Sequence, residues 1–351
     1  MIFIYSSKVT PQLIHQILVT KQILKNENYC SQQNICSEIN GVENLTFFKA
    51  IYKSDYVLVF NIIDLLKISL LRFFFRYKII FRIRGLLPEE HEYKRGKNYK
   101  NIILNYIEKI SFKKADFYLF LNENQKDFYE KKFLKFFKNS VIFPNVLIDK
   151  VTSYDYIKVN NNKITFAYSG GISEWQYFDE ILSFFKKFSR KNSELEVRLK
   201  IFTFERNFNL VAQKLKENNI SEICEYSYVE QDKLVASLSK CDIGIIFRDN
   251  HVINQTSSPF KIADYAASGL SVLTTESLKN QTELLIPSPY VFDLNFYELK
   301  NELYDNVIQK IMDNLHYIKD NDRTKIINNN YQNSFYNYNY KPLEDFFERS
   351  K

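Results

Sequence analysis

Short apolar runs alternate along this chain with longer stretches in which apolar side chains recur every three or four positions. The first pattern is that of buried strands and the second that of amphipathic helices, so the alternation predicts βα units and parallel sheets. In the first half, strands are expected at Ile2–Tyr5, Tyr56–Asn61, Ile79–Ile83, Phe117–Leu121 and Ser140–Phe143. Helices are expected over Pro11–Lys25, Leu65–Tyr77, Tyr99–Lys114 and Glu123–Phe136. Residues 151–162, ending in Asn160-Asn161-Asn162, lose all periodicity and read as a linker. The pattern then restarts. Lys163–Tyr168, Val197–Thr203, Cys224–Tyr228, Ile243–Phe247 and Leu270–Thr274 read as strands, with helices beginning near Glu174 and over Phe208–Asn218, Gln231–Lys240, Ser258–Ala267 and Leu299–Leu315. An Asn- and Tyr-rich tail, 328–351, closes in an amphipathic turn or two at Pro342–Glu348. The economical architecture is α/β: two Rossmann-like, doubly wound parallel-sheet domains, 1–150 and 163–327, facing across a cleft, with ligands at the carboxyl ends of the strands.

Composition changes this picture little. At 351 residues, 45% hydrophobic and 25% charged, the chain is ordinary globular material, long enough for two domains. Charge adds more. Residues 1–150 carry 24 Lys and Arg against 14 Asp and Glu, a balance of +10, while the remainder carries 24 against 27, or −3, giving the net +7. A basic half attracts polyanions, either nucleic acid or an anionic membrane surface. The four cysteines, at 30, 36, 224 and 241, lack metal-site or disulfide-framework spacing and read as thiols in a reducing compartment. The N-terminus has no basic region ahead of its apolar run, so it reads as a first strand rather than a signal peptide, and a cytoplasmic location is expected.

Segment 62–77, IIDLLKISLLRFFFRY, is too interrupted by Asp64, Lys67 and Arg72 to span a bilayer. Two readings remain open for it: a helix lying on the membrane surface with its Leu and Phe face inserted, or an ordinary helix packed on its sheet.

Two places carry candidate chemistry. The first is Phe166-Ala167-Tyr168-Ser169-Gly170-Gly171-Ile172-Ser173-Glu174-Trp175-Gln176, a strand running into paired glycines and then a helix. Glycines there admit a phosphate close to the backbone, and a helix N-terminus supplies N–H donors. A ligand-free tight turn fits equally well. The second, some 90 residues on, runs from Arg248-Asp249 through a loop to Ser258-Pro259-Phe260-Lys261-Ile262-Ala263-Asp264-Tyr265. Here a helix starts at Pro259 with Ser258 as its cap, and Lys261 and Asp264 lie on one face, where they could meet a diphosphate and a ribose diol. A surface Lys–Asp pair is the plainer alternative.

Together these two signals resemble the donor domain of GT-B glycosyltransferases, specifically the large retaining family 4, or glycogen-synthase-like, group. Pro259-Phe260-Lys261-Ile262-Ala263-Asp264-Tyr265-Ala266-Ala267-Ser268-Gly269-Leu270-Ser271-Val272 is similar to that group's P-x-K-x-x-E-Y-x-A-x-G-x-P-V motif, and Lys233 to Ile245 is similar to its helix-to-strand "ADIGI" step. In the first half, Phe81–His91, Ala115–Glu123 and Phe143-Pro144-Asn145 resemble an acceptor-facing loop, an "AD…VS" strand and a "PN" ahead of the linker, as found in members that assemble surface polysaccharides such as capsule or O-antigen.

The resemblance implies transfer of a sugar from a nucleotide-diphosphate-sugar, with UDP or GDP, to a glycan or lipid-linked glycan acceptor. It implies retention by front-face attack and no cofactor or metal, while the basic first domain and the R-x-R-G-L-x-P-E-E loop suggest work in the cytosol or peripherally at the inner face of the plasma membrane. It assigns Gly170, Gly171, Arg248, Ser258, Lys261 and Asp264 to the donor, with Lys261 and, from across the cleft, Arg84 supplying charge for catalysis. Glu89, Glu90 and His91 are candidates for acceptor contact or proton handling, with a solvated loop as the plainer alternative. The usual phosphate-binding Arg and Lys fall here on Gly171 and Gln176, and the first carboxylate of the usual E-x7-E pair falls on Thr256, so a catalytically degenerate scaffold is the alternative. Nucleic-acid binding is not expected, because no RNP, HTH or KH signature appears.

Overall fold

A computed structural model describes residues 1–349 except 10, 24–27, 33, 34, 36, 38, 146–161, 320–324 and 328–339. All but the last residue of the expected 151–162 linker, and the start of the 328–351 tail, therefore lie outside the described residues. The chain divides into two compact units. The first gathers the N-terminal half, residues 256–258 and the C-terminal helix, and the second holds the remainder.

The first unit is built on seven parallel strands: β1 Ile2–Tyr5, β2 Tyr29–Ser31, β3 Val42–Asn44, β4 Tyr56–Val59, β5 Lys78–Arg82, β6 Phe117–Phe120 and β7 Ser140–Ile142. Their order is β3-β2-β1-β4-β5-β6-β7, so the direction of winding reverses between β1 and β4. The helices are α1 Pro11–Ile23, α2 Phe47–Lys53, α3 Ile62–Leu71, α4 Leu87–Arg95, α5 Tyr99–Ser111 and α6 Glu123–Phe133. Asparagine starts three of them. Asn61, Asn98 and Asn122 each leave the extended region with a side chain accepting from a backbone N–H of the first turn, which satisfies a donor that the helix cannot. Strands β4 and β6 are buried throughout, as continuous apolar runs covered on both faces should be. The C-terminal helix Lys341–Glu348 packs on this unit through Leu343 and Phe347, the Phe347 ring lying 4.5 Å from that of Tyr56.

The second unit repeats the plan with six parallel strands: β8 Lys163–Ser169, β9 Glu196–Phe202, β10 Cys224–Ser227, β11 Ile243–Ile246, β12 Ser271–Thr275 and β13 Val291–Leu294. Their order is β10-β9-β8-β11-β12-β13, with the reversal between β8 and β11. Helices α7 Phe178–Lys191, α8 Phe208–Glu217, α9 Gln231–Leu238, α10 Val252–Gln255, α11 Phe260–Ala267, α12 Glu276–Leu285, α13 Phe296–Lys300, α14 Asp305–Asp313 and α15 Leu315–Lys319 complete it. Phe184, Phe185 and Phe188 of α7 converge edge-on upon Phe166 of β8, at centroid distances of 4.9 to 5.9 Å.

Several expectations are corrected. The stretch Leu299–Leu315 is not one helix: α13 ends at Lys300 and α14 begins at Asp305, with Glu302 turning left-handed (φ 54°) between them, and Leu315 opens α15. Helix α3 ends at Leu71 rather than Tyr77. The loop expected over Phe81–His91 runs instead from the end of β5 into helix α4, opened by Pro88 and closed at Gly96, whose φ is 68°. The helix expected near Glu174 begins at Phe178, after a single 3-10 turn and a left-handed Tyr177 (φ 54°). The glycines therefore do not run directly into a helix N-terminus.

Candidate functional site

The second unit brings three sequence-distant segments together at the carboxyl ends of β8 and β11, the place where a doubly wound sheet opens a crevice. Tyr265 of α11 sets the spacing there. Its hydroxyl accepts from the Ser169 N–H and donates to the Ile245 carbonyl, both at 3.1 Å, and so bridges the two strands. Its ring lies where a Cβ on Gly244 would sit, at 2.5–2.8 Å, so β11 requires glycine at that point.

Beyond Ser169, Gly170 adopts φ 120°, and a Cβ there would lie 2.6 Å from Lys261 Cε. Glycine thus makes room for the Lys261 stem to cross the end of β8. Lys261 Nζ sits 4.1 Å from the Tyr168 ring centroid and donates to Gln176 Oε1 at 2.8 Å. The same oxygen accepts from Arg248 Nη2 at 2.8 Å. Arg248 is buried, with its guanidinium 4.7 Å from the ring of the part-exposed Trp175 and Nη1 donating to the Phe247 carbonyl. Two cations therefore meet on one neutral amide oxygen, and among the described residues no carboxylate lies within ion-pair distance of either. Burial, and after it Arg248, holds the Lys261 ammonium well below the usual lysine range; burial likewise lowers Arg248.

Asp264, one turn beyond Lys261, is buried, and its Oδ1 has no hydrogen-bond partner. Burial pushes its carboxyl up to about 7, against the pull of Lys261. Asp249 closes the rim by accepting from the Tyr177 hydroxyl at 3.0 Å and from the Asn254 amide.

Gly170, Gly171, Arg248, Lys261 and Asp264 thus share one site, while three assignments change. The Gly170 N–H donates to the Phe202 carbonyl at 2.8 Å, closing the β8–β9 ladder, so it is not a free anion donor. Of the two glycines, Gly171 is the one whose N–H shows no such partner. Ser258 is not the cap of α11. That position belongs to Pro259, and the Ser258 hydroxyl instead accepts from the Asn145 N–H at 3.0 Å within the first unit.

Glu89 is the third, because it is not a free carboxylate. It pairs with Lys132 at 2.6 Å, which also holds buried Glu108 at 2.5 Å. Also in the first unit, exposed Arg84 stands near Glu90, whose carboxyl is raised by burial, with Lys94 and Arg84 opposing. The Glu90 carboxylate occupies the space a Cβ on Gly85 would need, and His91 Nδ1 lies 3.1 Å from Asn101 Oδ1.

Sequence reading had not singled out Gln176 as the shared acceptor, nor Tyr168 and Trp175 as the rings beneath the two cations. The one available signal was the displacement of the usual charged positions onto Gly171 and Gln176.

No protein-family profile matches the chain, and no curated sequence is similar enough to count as a relative. Solved structures match over its whole length. Sucrose-phosphate synthase from Thermosynechococcus elongatus is 10% identical with a TM-score of 0.69, covering 99% of this chain and 98% of that one. Anabaena HepE, solved with UDP, is 10% identical with a TM-score of 0.70 over the same shares. An α,α-trehalose-phosphate synthase (UDP-forming) from Burkholderia xenovorans, solved with glucose-6-phosphate, is 8% identical with a TM-score of 0.62, covering all of both chains. These neighbours are GT-B glycosyltransferases, and the chain shares their two-domain Rossmann-like fold.

Proposed function

We propose that this protein is a glycosyltransferase that uses a nucleotide-diphosphate-sugar, UDP- or GDP-linked, and that the second unit holds the donor. The observation that carries the reading is the convergence of Lys261 and Arg248 on the single neutral oxygen of Gln176. Two desolvated cations with no carboxylate on them are poised for an anion, and a diphosphate would answer both charges where an amide dipole answers neither. As the bond between sugar and β-phosphate breaks, negative charge grows on the departing phosphate. Lys261, Arg248 and the Gly171 N–H are the groups placed to stabilise it, and they need no metal to do so. Asp264 Oδ1, unpartnered and one turn away, is assigned to a ribose hydroxyl, for which it would be the acceptor. In this reading the first unit takes the acceptor, a glycan or lipid-linked glycan in surface-polysaccharide synthesis. The reaction retains configuration, and the protein works at the cytoplasmic membrane face. Arg84 and Glu90 are the first unit's candidates for acceptor contact.

The test is thermal unfolding of the full chain titrated with UDP, GDP, CMP and ADP. A ligand at a hundred times its dissociation constant adds about 2.7 kcal/mol to stability. One nucleoside diphosphate should raise the melting temperature, and Lys261→Met should abolish the rise. No shift with any of them would favour the second reading, a GT-B scaffold without turnover. That reading draws on Gln176, which places an uncharged group where the resemblance expects lysine.

A further inference from the structure

Helices α3 and α5 of the first unit pack side by side, and Arg72 Nη1 donates to the Lys114 carbonyl at 3.2 Å to join their ends. Both are amphipathic in the ordinary sense on their inner faces, where Leu65 and Ile68 of α3 are fully buried. Their outer faces are also apolar. Ile63 and Leu70, with Phe74 just past the end of α3, follow at i, i+7 and i+11, and Tyr99, Ile102 and Tyr106 follow at i, i+3 and i+7 on α5. All are exposed, Phe74 to 81% and Ile102 to 71%. Singly exposed apolar residues need no explanation, but aligned stripes on two neighbouring helices do.

The charges around these stripes are of one sign. Segments 62–77 and 97–114 contain eight Lys and Arg residues, every one exposed, and two carboxylates, Asp64 and Glu108, each 0% exposed. Asp64 turns inward to accept from the Ser7 N–H, and Glu108 turns inward to Lys132 and Tyr129. Of the eight cations, Arg72 is answered by Asp116 at 3.2 Å. The outer face of the pair therefore shows solvent apolar side chains and positive charge, with the acids folded away.

We infer that the α3–α5 face is a docking surface for an anionic lipid bilayer, on which both helices lie in the plane of the interface. Aromatic and aliphatic side chains flanked by lysines are what that interface takes: rings and methyls enter the acyl boundary while ammonium groups meet phosphates. Helices this short cannot cross a bilayer, and among the described residues none is long and apolar enough to do so. A second copy is a poorer occupant, because a two-fold contact would set the same cations against themselves. The inference rests on this surface alone and does not require the donor-site reading.

The test is co-flotation of the full chain with vesicles of phosphatidylcholine alone or enriched in phosphatidylglycerol, at low and high salt. The wild-type chain should float with the anionic vesicles, more weakly at high salt, and should not float with neutral ones. Leu70→Glu with Phe74→Glu should abolish flotation. Lys109→Glu with Lys113→Glu should weaken it by at least about 25-fold, taking roughly fivefold for each lysine removed. Circular dichroism spectra and melting temperatures matching the wild type would show that the variants fold. Absence of flotation by the wild type, equal flotation of both variants, or a concentration-dependent dimer that Leu70→Glu disperses would overturn the inference.

Discussion

Gln176 places a neutral oxygen between buried Arg248 and half-buried Lys261, and the identity of that one atom should control both stability and binding. Gln176→Glu changes little in shape and replaces the amide with a carboxylate within 2.8 Å of both Lys261 and Arg248. Hydrogen bonds to charged groups are worth roughly 1.5–3 kcal/mol, about twice neutral ones. The variant should therefore melt higher than wild type, by several degrees, and lose the response to nucleoside diphosphates, since its own carboxylate fills the anion position. Melting curves with and without ligand read both effects at once. A variant that still binds nucleotide as wild type does would show that the two cations do not meet phosphate. Asp264 supplies a second prediction, in pH. Its carboxyl keeps its proton in the folded chain to about 7, whereas in the unfolded chain it loses it near 3.8. Its contribution to stability is complete below about pH 4 and is lost as pH rises through 7, because the buried site then has to hold a bare charge. Asp264→Asn removes that dependence. Denaturant titrations should show the variant gaining on wild type between pH 4 and 7, by up to a few kcal/mol, with no further gain above 8. A constant difference across that range would mean that the carboxyl is solvated.

At the level of elements, the site depends on how closely β8 and β11 are held, and Tyr265 is the piece that holds them. Tyr265→Phe keeps the ring against Gly244 but leaves the Ser169 N–H and the Ile245 carbonyl without their shared hydroxyl. The expected cost is about 1–3 kcal/mol, with a weaker response to nucleotide because the Gly170 turn begins at Ser169; equilibrium unfolding in urea measures the first and thermal titration the second. This pairing also marks what was legible beforehand. The apolar runs of β4, β6, β8 and β11 announced themselves because a parallel strand covered on both faces has no room for polar alternation. The short outer strands β2 and β3 gave no such signal: each is three residues long, and Val42–Asn44 is largely exposed. Helix α4 was hidden for another reason. Its sequence, LPEEHEYKR, is polar on nearly every side, and only Pro88 and the terminal Gly96 mark its ends. The glycines of the site were visible as residue types, but their purposes were not. Gly170 serves the stem of a lysine 91 positions away, and Gly244 a ring 21 positions away, and spacing in sequence carries no information about such approaches. The break at Tyr177, which turns Gln176 toward the cations, depends on one left-handed residue of a type that seldom adopts that conformation, so periodicity ran through it.

Across the whole molecule, the two units share a winding plan and differ in charge: +10 over residues 1–150 and −3 over the rest. Were the basic half the seat of nucleotide binding, its cations would be expected around one strand-end crevice. Many of them lie instead on helix exteriors such as α3 and α5, and its buried Arg82 donates to Asn145 Oδ1 at 3.0 Å and lies over the Phe143 ring, while Lys261 and Arg248, which share the Gln176 oxygen with no carboxylate on either, sit in the half of negative balance. On the proposed reading, surface charge and site charge have separate tasks, long-range attraction in one unit and short-range recognition in the other. Hydrogen exchange on the full chain should resolve this as two footprints. A nucleoside diphosphate should slow amides in 169–177, 247–250 and 260–265, because it would fix the glycine turn, the Arg248 strand end and the first turns of α11 together. Anionic vesicles should instead slow amides in 62–74 and 99–114, with those of 169–177 unchanged. A nucleotide footprint centred on 84–91 would move the donor to the basic unit and leave Gln176 and its two cations as a structural pin, because in that case the charge that binds phosphate would be the charge already on the surface.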